Sequence, residues 1–176
     1  MLRQSIDTLL IVGLTFLSVI WQNAAAQGAE ARLKEKNITL PAAPAAAGNY
    51  VDAVRIGNLL FMAGNTSRDG APLGKVGKEL TIDQGYQAAR HAGLLLLAKV
   101  RAATGSLDRV KRVVKVTGMV TSADGFGDQP RVMNGFSDLM VEVFGDTIGK
   151  HARTAMGVAA LPGNAPVEVD AIFEVE

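Results

Sequence analysis

The stretch from Thr81 to Gly105 constrains the fold of this chain more than any other. Thr81-Ile82-Asp83-Gln84 has the pattern of a capping box, in which the Thr81 hydroxyl and the Gln84 amide satisfy each other's backbone N–H groups. The spacing predicts a helix from there to about Ala103, stopped by Gly105. Ile82, Ala89, Ala92, Leu96 and Val100 recur on one helical face, yet Leu94 to Leu97 is continuously apolar. Such a helix is expected to be covered on more than one side. The second helix opens at Asp128, with Pro130 in its first turn. Its apolar stripe is Val132, Met133, Phe136, Leu139, Met140 and Val143, and Gly145 is expected to stop it. Strand-length runs surround the helices. Tyr50 to Gly57 and Leu59 to Gly64 flank a Gly57-Asn58 turn, and the β-branched run Arg109 to Thr121 lies between the helices. Arg153 to Leu161 and Val167 to Val175 follow, joined through Pro162-Gly163. The order is ββαβαββ, an α+β domain with no internal repeat.

The N-terminal segment stands apart from that domain. Leu9 to Trp21 is an apolar run of 13 residues, shorter than the ~20 that span a bilayer as a helix. Arg3 precedes it and Ala24-Ala25-Ala26 follows, a small-residue cleavage signal. We expect a signal peptide over 1–26, an arm over 27–48 that carries a short helix near Gly28 to Lys36 and the Pro/Ala-rich Leu40 to Gly48, and a domain over 49–176. Periplasmic or secreted localisation follows from that reading, with no membrane attachment once the signal is removed.

Composition removes several function classes. The chain has 176 residues, 18 Lys+Arg against 17 Asp+Glu, and a net charge of +1, poor support for a dedicated nucleic-acid binder. It has no cysteine, which excludes disulfides, thiolate metal sites and Cys nucleophiles. His91 and His151 are its only histidines, so no His-rich metal cage can form. Nucleophile-elbow, phosphate-loop, dinucleotide-binding and zinc-protease motifs are all missing. Gly70, Gly74 and Gly77 read as turn glycines. The basic cluster Lys99, Arg101, Arg109, Lys111, Arg112 and Lys115 has no interleaved aromatics and reads as a solvated helix end and strand edge.

Three segments carry a signal when taken in order. They are Gly48-Asn49-Tyr50 with Gly57-Asn58 and Ala63-Gly64-Asn65; Asn134-Gly135-Phe136; and His151-Ala152-Arg153-Thr154 followed by Leu161-Pro162-Gly163 and Val167-Glu168-Val169-Asp170. Together they resemble the RidA family, also called the YjgF or L-PSP endoribonuclease family, from about Gly48 to Glu176. The resemblance implies a chorismate-mutase-like fold, a mixed sheet backed by two helices, and a homotrimer with clefts between subunits. It also implies an activity, hydrolysis of reactive enamines and imines such as 2-aminoacrylate to 2-keto acids and ammonia.

The implied roles suit the residue types. Arg153 matches the family's carboxylate-binding Arg, whose planar fork suits a carboxylate. Glu168 matches the Glu that holds the attacking water. These two are the expected catalytic residues, and Tyr50, Gly64, Asn134, His151 and Ala155 are the expected substrate-binding positions. The chain departs from the family pattern in three places. Ala63 stands where the family has Ser, Ala155 where it has Cys, and His151 where it has Pro. No metal or organic cofactor is implied, because imine hydrolysis needs only water and placed charge. The expected partners are a small carboxylate substrate and further copies of the chain. Two other readings use the same domain: a non-catalytic trimer that binds small carboxylates, and an endoribonuclease, against which the charge balance and the export signal argue.

Overall fold

A computed structural model describes residues 28–68 and 70–176; the expected signal peptide lies outside the described residues. Helix α1 (Ala29–Glu35) comes first, followed by an extended arm. Strands β1 (Ala53–Ile56), β2 (Leu59–Met62) and the two-residue β3 (Asn65–Thr66) precede helix α2 (Ile82–Thr104). Then come β4 (Val110–Thr121), α3 (Gln129–Gly149), β5 (Ala152–Val158) and β6 (Val167–Val175). The main sheet order is β1-β2-β6-β4-β5, with β3 also on β6. β4 is parallel to β5 and antiparallel to β6, so the sheet is mixed.

Local chemistry explains the element ends. The Thr81–Gln84 capping box forms in full, with reciprocal bonds of 2.9 and 3.2 Å. Gly105 closes α2 in the left-handed conformation, at φ 84°. Asp128 does sit at the N-terminus of α3, but its side chain makes no cap bond and reaches Arg131 instead. Gly145 does not end α3. It breaks the helical geometry at φ 76° and the chain then resumes for one more turn to Gly149. A side chain at Gly145 would press on the Arg32 guanidinium of α1, so the break lets the two helices approach.

One face of the sheet is buried and the other is open. Val167, Val169, Ala171, Phe173 and Val175 of β6 point inward, together with Val113, Val116 and Val120 of β4. Helices α2 and α3 cover that face and pack on each other. Leu96, Leu97, Met133, Phe136 and Leu139 are fully buried between them, which accounts for the continuous apolar run in α2. Small residues set the spacing: Gly135 lies against the Tyr86 backbone carbonyl, and Gly118 lies under the Met133 side chain. The arm is pinned by a partly buried ion pair, Lys99 Nζ to Asp52 Oδ1 at 2.6 Å. On the open face Val54, Phe61 and Ile172 align across β1, β2 and β6, and Val54 and Phe61 are exposed there.

Candidate active site

The turn from α3 into β5 carries the candidate site. Arg153, the second residue of β5, points toward α3. Its Nη1 donates to Asn134 Oδ1 at 3.0 Å and to Ser137 Oγ at 2.9 Å, and its Nη2 donates to the Pro130 carbonyl at 3.2 Å. Asn134 and Ser137 are three residues apart, so they share one face of α3. All three acceptors are neutral, and among the described residues no carboxylate forms an ion pair with Arg153. A guanidinium has five N–H donors. Nε and the second hydrogen of Nη2 therefore remain for a ligand. Burial lowers the Arg153 pKa while nearby Asp138 raises it. The guanidinium stays charged throughout the physiological range.

His151 lies behind Ser137. Its Nδ1 is 2.6 Å from the Gly149 carbonyl and its Nε2 is 3.1 Å from Ser137 Oγ. A carbonyl only accepts, so Nδ1 carries the proton and the neutral Nε2 accepts from the Ser137 hydroxyl. Burial holds the His151 pKa below its ordinary value and the Arg153 charge adds to this, although the Gly149 bond opposes both. Ser137, Asp138, Val141, Lys150, His151 and Arg153 line an open cleft of about 580 Å³. Of these, sequence reasoning missed Ser137, Asp138, Val141 and Lys150. The signal for Ser137 was available as its position three residues after Asn134.

Glu168 lies elsewhere. It shares the open face of β6 with Asp170, while Val167 and Val169 point to the core. Burial pushes its carboxyl pKa up, and the Asp170 charge adds to that. Its carboxylate rests against Gly64, where any side chain would collide with it. Tyr50 is exposed on the arm, two residues before Asp52, whose carbonyl accepts from Ala63 N at 2.9 Å. The chain thus holds two half-sites. Arg153, Asn134 and His151 lie on the helix side at the β5 edge, with Ala155 on the same side of that strand, opposite Gly118. Glu168 and Gly64 lie on the open side, and Tyr50 precedes them on the arm. With β4 between β5 and β6, the two strands are roughly 10 Å apart. Within one subunit Arg153 and Glu168 are therefore not brought together.

Five of the six residues of the basic cluster are taken up in structural bonds. Lys99 holds Asp52, Arg101 holds Glu30, Lys111 holds Glu176, Lys115 donates to Thr154, and Arg109 donates to backbone carbonyls. Among the described residues no group of His, Asp and Glu side chains could hold a metal ion.

This mixed sheet with two covering helices defines a class, and comparison with known proteins specifies it. Residues 30–174 match the family described as "YjgF/chorismate_mutase-like, putative endoribonuclease". The chain belongs to this family and has its chorismate-mutase-like fold. It is 46% identical over 148 residues to Protein TCP17 of Trypanosoma cruzi, covering 82% of this chain and 92% of that protein. It is 30% identical over 139 residues to a 2-iminobutanoate/2-iminopropanoate deaminase of Dermatophagoides farinae, covering 79% of this chain and 95% of that protein. Among solved structures, Atu1372 from Agrobacterium tumefaciens superposes with a TM-score of 0.76 at 40% identity, covering 84% of this chain and 94% of that one.

Proposed function

We propose that this protein hydrolyses small 2-imino acids, and the enamines in equilibrium with them, to 2-keto acids and ammonia. The observation that carries the reading is Arg153: a partly buried guanidinium held by three neutral acceptors, with two N–H groups left on a cleft edge. That arrangement suits side-on binding of a carboxylate. The deaminase named among the relatives gives the reaction class.

In this mechanism Arg153 binds the substrate carboxylate and fixes the imine carbon. Glu168 orients a water molecule and takes its proton as the oxygen bonds to that carbon. Glu168 returns that proton to the imine nitrogen, which gives an amino alcohol; it then takes the hydroxyl proton and passes it to the nitrogen as the C–N bond breaks, so that ammonia leaves and the former hydroxyl oxygen becomes the keto oxygen. A carboxyl with a raised pKa suits this double role. The two half-sites lie on opposite sides of the sheet, so we place the working site between copies in a homotrimer, with Arg153 from one subunit facing Glu168, Gly64 and Tyr50 of the next. The exposed apolar face around Val54 and Phe61 supplies a surface to bury in that assembly. We also propose export through the 1–26 signal, which places the substrate outside the cytoplasm.

The test is keto-acid release from imines generated in situ by an amino-acid oxidase, comparing the protein with Arg153→Ala. Acceleration over buffer that disappears in the variant supports the reading. Carboxylate binding without acceleration replaces it with the non-catalytic alternative. The endoribonuclease reading is disfavoured by the balanced charge and by the structural use of the basic cluster.

A further inference from the structure

The strongest feature that the mechanism leaves unused is the chain of bonds behind Arg153. Ser137 Oγ lies 2.9 Å from Arg153 Nη1 and 3.1 Å from His151 Nε2, and His151 Nδ1 lies 2.6 Å from the Gly149 carbonyl. These bonds have one consistent direction. His151 Nδ1 donates to Gly149, which leaves Nε2 as an acceptor. Ser137 then gives Nε2 its only hydrogen, so its lone pairs face Arg153. The imidazole has little freedom to turn away, since it packs edge-on against Phe136 at 6.1 Å.

We propose that His151 is a positioning residue that acts through Ser137 to hold the Arg153 guanidinium in its carboxylate-binding orientation, and that protonation of His151 releases this hold. This rests on the reading of Arg153 as the carboxylate site. When Nε2 carries a proton it becomes a donor aimed at Ser137 Oγ. That oxygen then has two cationic donors directed at it, and its own hydrogen must swing away. Imidazolium and guanidinium also repel each other across one hydroxyl. The ionisable groups facing His151 are Arg153 on β5, Asp138 on α3 and Lys150 in the turn, which line the same cleft. Lys150 is itself paired with Asp146 at 2.7 Å. Lys115 of β4 aligns with Ala152 but donates to Thr154 on the open side of the sheet. Burial keeps His151 neutral near pH 7, so the hold is in place there.

The experiment is calorimetric binding of pyruvate, a small 2-keto acid, from pH 8 to pH 5. It compares the protein with Ser137→Ala, His151→Leu and His151→Gln. Gln offers an amide oxygen near the position of Nε2 but does not titrate. We expect affinity to fall about tenfold as His151 protonates, as for loss of one hydrogen bond that orients a charged group. Ser137→Ala and His151→Leu should bind weakly at every pH. His151→Gln should recover most of the affinity lost in the Leu variant and lose the part of the pH dependence that the protein does not share with it. Nitrogen-15 NMR of His151 should show the Nδ1–H tautomer. Tighter binding in acid, His151→Leu binding as well as the unmodified protein, His151→Gln binding as weakly as His151→Leu, or the Nε2–H tautomer would each overturn the proposal. Failure of every form to bind pyruvate would remove the carboxylate reading of Arg153 and this role with it. Unchanged binding across the variants would remove only the role of His151.

Discussion

Burial disfavours the charged form of both Arg153 and Glu168, but their polar neighbours differ. Arg153 gains neutral hydrogen-bond partners that cost it no charge, whereas Glu168 is partly desolvated beside another acid. The sign for stability follows. A carboxyl whose folded pKa is raised favours the folded state below its unfolded value and loses that contribution as pH rises through the folded value. Glu168→Gln should therefore raise the Tm near pH 7, and the difference should vanish below about pH 4, near the reference carboxyl range. The same variant should lose catalysis, so a gain in Tm with a loss of keto-acid release marks Glu168 as functional rather than structural. Calorimetric melts at pH 7 and pH 4 check it. Arg153→Lys should be nearly as poor as Arg153→Ala, because an ammonium cannot span Asn134, Ser137 and a carboxylate with a planar fork. A Lys variant that kept full activity would contradict that account.

At the scale of elements the sequence was legible where local chemistry decides the outcome. Thr81, Gln84 and Gly105 specify both ends of α2 by themselves, and the alternation in Val167 to Val175 specifies which residues face the core. Gly145 was misleading because a left-handed glycine marks a helix end only when the chain does not resume. Here α1 packs against the break, and nothing in the local sequence records that contact. Site residues show the same limit. Arg153 and Glu168 could be picked by motif, but that they lie on opposite sides of the sheet depends on strand order. The spacing of Ser137 from Asn134 places both on one helix face, but that Arg153 reaches that face depends on the packing of β5 against α3. Two substitutions test the element-level account. Thr81→Ala should destabilise by about 1 kcal/mol through loss of the cap. Gly135→Ala should cost more, roughly 1–3 kcal/mol, because its methyl meets the Tyr86 carbonyl across the α2–α3 contact. Urea denaturation measures both, and a Gly135→Ala protein as stable as its parent would refute the close approach.

At the scale of the whole molecule, one sheet face is closed by helices and the other carries exposed Val54, Phe61 and Met156. Phe61→Glu should dissociate the proposed trimer, which a sedimentation mass would show, and keto-acid release should fall with it although Phe61 is outside both half-sites. The central claim, that imine hydrolysis needs Arg153 of one copy and Glu168 of another, has a direct test in complementation. Arg153→Ala and Glu168→Gln chains are produced separately and together, and keto-acid release is measured for each. Each variant alone should be inactive. A randomly assembled equal mixture should regain about a quarter of the unmodified activity, because across the whole population that share of interfaces pairs an intact Arg153 with an intact Glu168. If mixed trimers form and remain as inactive as their parents, the shared site is contradicted.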